Sequence, residues 1–194
     1  MAVAAASKRE IEDRVLQEWA ELATAWGVSP VLGRIHGLLL LNGQPMTAEE
    51  ICDRLRISRA SASVQLNAIL DWGLARRIFV PGDRRQYYQA DQDHWIWFRR
   101  AAATRKRREF DPVVARLGEA LAQARAAAQD DEEISALSER LANLHNFVGE
   151  LFRGIGLVLE EDEALLHYLL RLSPQELDEL RHLLRVAVKE PEQS

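Results

Sequence analysis

The sequence predicts a mainly α-helical protein that carries one two-stranded β-hairpin. Three observations lead there. Apolar residues recur at three- and four-residue steps through most of the 194 residues, which is the period of a helix. Helix-start signals recur as well: Thr47 with Glu50, Ser58, and Ser173 with Glu176, each a residue type whose side chain caps free amides. Two strand-like runs, Leu74-Ala75-Arg76-Arg77-Ile78-Phe79-Val80 and Gln86-Tyr87-Tyr88-Gln89, flank Pro81-Gly82, a pair suited to the centre of a type II turn.

In chain order, Ile11, Val15, Trp19, Leu22 and Trp26 mark an amphipathic helix over residues 8–26 whose large stripe needs an apolar partner, in the same subunit or a second one. Ser29-Pro30 starts the next helix, with Ser as cap and Pro in the first turn, and Asn42-Gly43 ends it. Its Ile35, Leu38, Leu39 and Leu41 are core candidates, and His36 among them reads as structural.

Thr47 and Glu50 form a capping box, so a helix begins at Thr47 and buries Ala48, Ile51, Cys52 and Leu55 on one side. Leu55-Arg56-Ile57 turns the chain, and Ser58 caps a second helix that runs to about Trp72 and closes at Gly73. Ala62, Leu66 and Ile69 share its core face; Ala60, Ser63, Val64 and Asn67 occupy the opposite one. That outer face has no acid before Asp71 and consists of small or hydrogen-bonding side chains. Asn and Ser can pair with base edges, and Val can touch a thymine methyl, so a major groove fits it. Arg59 stands at the helix start, where a phosphate or guanine can meet it, and Arg84 and Arg85 fall near the hairpin tip. Helix, turn, helix and a basic-tipped hairpin make a winged helix-turn-helix.

Beyond the hairpin, Asp93 opens a helix rich in bulky residues, followed by the basic run Arg99, Arg100, Arg105, Lys106, Arg107 and Arg108. Asp111-Pro112 restarts or kinks the chain, with Asp as cap. Val114, Leu117 and Leu121 form a narrow helical stripe. From the helix starting at residues 130–133, Ile134, Leu137, Leu141, Leu144, Val148, Leu151 and Phe152 give a near-heptad repeat. It suits either part of a dimer interface or packing on the preceding helix. Gly154 and Gly156 loosen its end near Leu157, and Ser173 with Glu176 caps a last helix through Val188.

The formal net charge is −5, but its distribution is uneven. Residues 30–108 hold 14 Lys and Arg against 7 Asp and Glu, whereas residues 109–194 hold 8 against 18. A basic region between acidic flanks draws polyphosphate to one face. The single Cys52 excludes an internal disulfide. The opening Met1–Ala6 is too short for a signal-peptide core, and no apolar run approaches membrane-span length, so a soluble, cytoplasmic protein is expected. No phosphate loop, nucleophile elbow, His-Glu-x-x-His or Cys-x-x-Cys is present. His145, His167 and His182 lie apart, and the acidic run of residues 160–163 reads as a solvated face or helix start. Neither an enzyme nor a metal or cofactor site is expected.

The runs Leu55-Arg56-Ile57-Ser58-Arg59, Asp71-Trp72-Gly73-Leu74, and Val80-Pro81-Gly82-Asp83-Arg84 with Tyr87-Tyr88 resemble the GbsR-type branch of the MarR-like transcriptional regulators. Trp26-Gly27-Val28-Ser29-Pro30, Gly33-Arg34-Ile35 and Gly37-Leu38-Leu39-Leu40-Leu41 match that branch too, so the resemblance covers about residues 20–98. Arg56 departs from it, standing where many such turns carry Gly. The resemblance implies a homodimer that binds double-stranded DNA, with any small-molecule effector site lying between winged-helix and dimer regions. Members of the branch respond in some organisms to choline-like ligands, and Trp19, Trp26, Trp95, Trp97, Phe110 and Phe147 are aromatics available to hold such a cation, although their spacing is equally that of core packing and no cage is assigned.

The domain organisation expected is an N-terminal helix for dimer and core packing (1–29), the winged helix-turn-helix (30–98), and a helical linker with a C-terminal dimerisation region (99–194). Ser58, Arg59, Ser61, Ser63, Val64 and Asn67 are the expected groove contacts, with Arg84 and Arg85 on the wing. A dimeric repressor reading a pseudo-palindromic site is the function expected. The alternative is a winged-helix protein-interaction module that does not read DNA.

Overall fold

The structure is a computed structural model that describes residues 6–128, 131–156, 168 and 171–189. It divides into two compact units, Met1–Arg107 and Arg108–Ser194.

The first unit opens with α1 (Lys8–Ala25), started by a capping box between Ser7 and Glu10. Its partner is α2 (Pro30–Asn42), which has Pro30 in its first turn and ends at Gly43 with φ +69°. Ser29 occupies the cap position of α2 without a side-chain cap bond. Two glycines let the helices meet closely. A Cβ on Gly33 would lie 2.7 Å from the Ala23 Cβ and 2.9 Å from the Trp19 carbonyl oxygen, and one on Gly37 would lie 3.1 Å from Leu16.

This close approach corrects the stripe expected for α1. The face against α2 carries Leu16 and Ala20, at 1% and 4% exposure. Ile11, Leu22 and Trp26 remain 44–55% exposed and Val15 37%. Ala20 and Ala23 fit against Gly33, Leu16 and the Trp19 ring against Gly37, and Ile11, Val15, Leu22 and Trp26 lie roughly 100–160° round the helix from the Leu16 and Ala20 direction. In α2, Ile35, Leu38 and Leu39 are buried as expected, but Leu41 is 44% exposed, lying roughly 110° round the helix from the centre of that buried face.

Next come α3 (Ala48–Leu55) and α4 (Arg59–Asp71). Thr47 and Glu50 make the reciprocal capping box of α3: Thr47 N–H donates to the Glu50 carboxylate at 2.7 Å, and Glu50 N–H donates to Thr47 Oγ1 at 3.2 Å. Arg56 takes the left-handed conformation (φ 53°), the sole non-glycine residue with positive φ among those described. It therefore carries the strain that glycine would avoid in the turn between the two helices. Ile35, Leu39, Ile51, Leu66 and Ile69, all at 2% exposure or less, form the centre of a core shared by α2, α3 and α4.

The wing has one strand more than the sequence indicated. The antiparallel order is β1 (Met46–Thr47), β3 (Tyr87–Gln89), β2 (Arg76–Ile78). Arg77 pairs with Tyr88 on one side, and Met46 with Tyr88 on the other. A two-residue strand shows no alternation in sequence, and Thr47 already declared itself as a helix cap. Pro81-Gly82 turns the chain as expected: Asp83 N–H donates to the Val80 carbonyl at 3.1 Å, and Gly82 has φ +84°, the geometry of a type II turn.

Asp93 caps α5 (His94–Arg105), accepting from the Trp95 amide at 2.9 Å. A π-helical turn, Lys106–Phe110, follows. In the second unit, α6 (Asp111–Ala127) begins without a side-chain cap bond, so Asp111 is its first residue rather than its cap. Asp131 caps α7 (Glu132–Gly156), accepting from Glu133 and Ile134. Leu121 and Ala124 of α6 are buried, as is Ser138 of α7, and Phe110 stacks on Phe152 at 4.2 Å. Ser173 and Glu176 form the expected capping box at the start of α8 (Pro174–Lys189). Asp130, Leu157, the acidic run of residues 160–163 and His167 lie outside the described residues. No described helix is long and apolar enough to cross a membrane.

Candidate nucleic-acid interface

α4 is locked at both ends, which fixes what it shows to solvent. At its start Ser58 Oγ accepts from the Ser61 amide at 3.1 Å. At its end Gly73 (φ +70°) donates to the Leu70 carbonyl and Leu74 to that of Ile69, the paired bonds of a Schellman motif. With Ala62, Leu66 and Ile69 at 0–2% exposure, the helix turns Arg59, Ala60, Ser63, Val64 and Asn67 outward. Val64 is 63% exposed. Ser58 is exposed and Ser61 half-buried, and the Ser58 hydroxyl is committed to capping.

The cations around this face have weak or long contacts. Arg59 reaches Glu49 of α3 at 3.0 Å, both side chains mostly exposed. Such a pair contributes about 0–1 kcal/mol, so a phosphate can displace the acid. Arg77 reaches from β2 to Asn67 Oδ1 at 3.5 Å, at the limit of a hydrogen bond. Arg59, Ser63, Asn67, Arg77 and Gln86 line a surface cleft of about 500 Å³ beside α4. Arg76, also exposed on β2, lies 3.7 Å from Asp91, which is paired to Arg100 as well.

The two wing arginines differ. Arg85 is pinned by Asp83, with Nη2 donating at 2.6 Å, Nε at 3.0 Å and the Arg85 amide at 2.9 Å. The Tyr87 hydroxyl donates to the same carboxylate at 2.8 Å, and the guanidinium lies 5.4 Å from the Tyr87 ring centre. The Arg85 bonds hold the Asp83 carboxyl far below its usual range. The same carboxylate raises both the Arg85 guanidinium and the Tyr87 hydroxyl. Arg84 is exposed and has no side-chain partner among the described residues. Phe79, 81% exposed, stands out beside these charges.

The structure thus gathers Arg59, Ser63, Val64 and Asn67 on one helical face and puts Arg84 and Arg85 on the wing. Sequence reading missed Arg76, Arg77, Phe79 and the clasp formed by Asp83. The paired arginines at the start of the first strand-like run were the signal for Arg76 and Arg77. The Asp83-x-Arg85-x-Tyr87 spacing, which places three side chains on one side of an extended chain, was the signal for the clasp.

The same unit holds an apolar cavity of about 200 Å³ lined by Trp19, Trp26, Trp72, Trp97 and Phe98, with His36 and Arg105 among its walls. Trp19 Nε1 donates to His36 Nδ1 at 3.2 Å, and Trp97 meets the imidazole edge-on at 4.7 Å. His36 Nε2 is buried without a hydrogen-bond partner, and burial pushes the imidazole down to about 4. Of the six aromatics considered for a cation cage, Trp19, Trp26 and Trp97 line this cavity and Trp95 does not. Phe110 and Phe147 belong to the other unit. Among the described residues no group of three His, Cys, Asp or Glu side chains is placed to hold a metal.

A helix-turn-helix whose second helix is outwardly polar, followed by an antiparallel sheet with a basic tip, defines a winged helix-turn-helix domain. Residues 26–86 match the MarR family model, and this winged-helix segment is similar to that family. The chain is similar to three proteins of Bacillus subtilis strain 168. It is 29% identical over 46% of its length to the putative HTH-type transcriptional regulator YvaV, covering 50% of that protein. It is 26% identical over 45% to the HTH-type transcriptional repressor OpcR, covering 47%, and 24% identical over 60% to the HTH-type transcriptional repressor GbsR, covering 64%. The chain therefore spans about half to two thirds of the length of these curated relatives. A solved structure of a transcriptional regulator shares 17% identity over 75% of this chain and 98% of its own, with a TM-score of 0.44.

Proposed function

We propose that this protein is a sequence-specific DNA-binding transcriptional regulator of the GbsR-type branch, acting as a homodimeric repressor in the cytoplasm. The observation that carries the reading is the outer face of α4. Arg59, Ser63, Val64 and Asn67 stand exposed between two fixed helix ends, on a helix face with no acid of its own before Asp71, with Glu49 of α3 and Arg77 of β2 beside them. Groove contacts come from Ser58, Arg59, Ser61, Ser63, Val64 and Asn67, and the wing contributes Arg84 and Arg85. Residues 30–98 are the reading domain, and residues 1–29 and 99–194 supply packing and dimerisation. A twofold dimer reads a pseudo-palindromic operator with half-sites ~34–36 Å apart. A small-molecule effector, where one acts, is accommodated by the aromatic cavity around Trp19, Trp26 and Trp97. The relatives' descriptions as transcriptional regulators support this assignment.

Fluorescence anisotropy tests it. The protein is titrated against the duplex upstream of its own gene and against a scrambled duplex, each at several salt concentrations. A preference of about 10³-fold or more for the native duplex with a steep salt slope is expected. Absence of salt-sensitive binding to either duplex removes the DNA-reading assignment in favour of a protein-interaction module.

A further inference from the structure

α7 carries two apolar stripes, and α6 does not account for both. Ile134, Leu141, Val148 and Phe152 are half-buried, flanking the buried Ser138 on the face towards α6. Leu137, Leu144 and Leu151 are 46–48% exposed and Phe147 63% exposed. With Arg140, these four make a second run, 137, 140, 144, 147, 151, stepping by three and four. This is a complete coiled-coil seam on a helix whose other seam is already used. The heptad-like repeat therefore splits between two neighbouring faces.

We propose that this outer seam of α7 pairs with the same seam of a second copy of the chain, and that the two helices run antiparallel. Arg140 decides the direction. A parallel pair would align each seam residue with itself, bringing Arg140 against Arg140 at the centre of an apolar contact, where like charges repel. An antiparallel pair sets Leu144 against Phe147 of the other copy, Leu137 against Gly154, and Arg140 against Leu151. In this register Arg140 lies beside Glu150 of the opposite helix, so its stem covers a leucine while its charge meets an acid. Gly154 suits its place: a Cβ there would meet nothing within 4 Å, leaving a bare patch of helix for Leu137 to cover. The inference rests on the dimeric part of the proposed function and specifies the helix, its direction and its register.

Cysteine pairing tests it in the full-length protein. Positions 137 and 154 of one helix are about 25 Å apart, too far for a disulfide within a chain, so any crosslink in a Leu137→Cys/Gly154→Cys variant joins two copies. Under mild oxidation this double variant should form a covalent dimer on a denaturing gel. Leu137→Cys alone should stay monomeric on the gel, as should the wild type with its buried Cys52. Efficient crosslinking of Leu137→Cys alone would mean a parallel seam and overturn the proposal. Light scattering of the unmodified protein separates the remaining outcomes. A dimer whose double variant does not crosslink uses another face, which overturns this seam but leaves the dimeric regulator standing. A monomer overturns both, and leaves the exposed stripe of α7 to a different partner. DNA binding of the same preparations, read separately, reports on the reading head alone.

Discussion

His36 gives the protein a dependence on pH that can be worked from its surroundings. It is 3% exposed, its Nδ1 accepts from the Trp19 indole, and its Nε2 has no partner. An indole N–H can only donate, so Nδ1 is unprotonated and the imidazole is neutral with its hydrogen on Nε2. Protonation would place a charge among apolar rings and cost Nδ1 its bond to Trp19. Burial accordingly lowers the group from 6.5 to about 4, with a smaller contribution from His94. In the unfolded chain His36 takes its proton near pH 6.5, whereas in the folded chain it does so only near pH 4. The stabilisation is therefore complete above the unfolded value and lost as pH falls through this window. At about 1.4 kcal/mol per pH unit, the loss is on the order of 3 kcal/mol between pH 7 and pH 4. Urea unfolding followed by tryptophan fluorescence measures it, because Trp19, Trp26, Trp72, Trp95 and Trp97 all lie in the first unit. Carboxylates titrate in the same range, so the comparison is with His36→Leu. That variant loses the Trp19 acceptor at every pH, at about 1 kcal/mol, but should have a flatter dependence by about 3 kcal/mol. Equal pH dependence in the two proteins would refute the reasoning.

Three further outcomes follow from the geometry. Asn67→Ala should weaken binding to the native operator by about 1–3 kcal/mol while leaving random duplex unaffected; an equal loss on both would assign Asn67 to the backbone instead. Arg84→Ala should lower affinity for all duplexes alike and reduce the salt slope by about one, which titrations at several salt concentrations read directly. Gly33→Ala drives a methyl to within 3 Å of Ala23 and the Trp19 backbone. It should destabilise the first unit by about 1–3 kcal/mol, visible as a lowered urea midpoint.

The parts of the fold that were legible in the sequence are those whose signal is local. Thr47 with Glu50, Ser173 with Glu176, Gly73 and Pro81-Gly82 each complete their geometry within six residues, and each does so in the structure. What was misread depends on a distant partner. The contact face of α1 is set by Gly33 and Gly37 on α2, which favour Ala20 and Ala23 over the larger Leu22 and Trp26. β1 pairs only Met46 and Thr47 with Tyr88 and Tyr87 of a strand some forty residues on, and two residues leave no pattern to read. Asp111 looked like a cap because it precedes proline, yet the helical run reaching it through Lys106–Phe110 makes a cap unnecessary.

The candidate site divides in the same way. Residue types on α4 announce a face able to enter a groove, because its small and amide side chains follow from helical spacing alone. How those side chains are held did not follow. An Asn amide can pair with adenine by accepting and donating at once, and Arg77 lies 3.5 Å from the accepting oxygen of Asn67. The wing shows the opposite arrangement, with Asp83 and Tyr87 fixing Arg85 before any partner arrives. Arg77 thus has one long contact to a side chain of α4, whereas Arg85 is held by close bonds within its own strand region. The Arg77 contact depends on β2 lying beside α4 and left no local trace, whereas the Asp83, Arg85 and Tyr87 clasp is complete within five residues and its spacing could have been read.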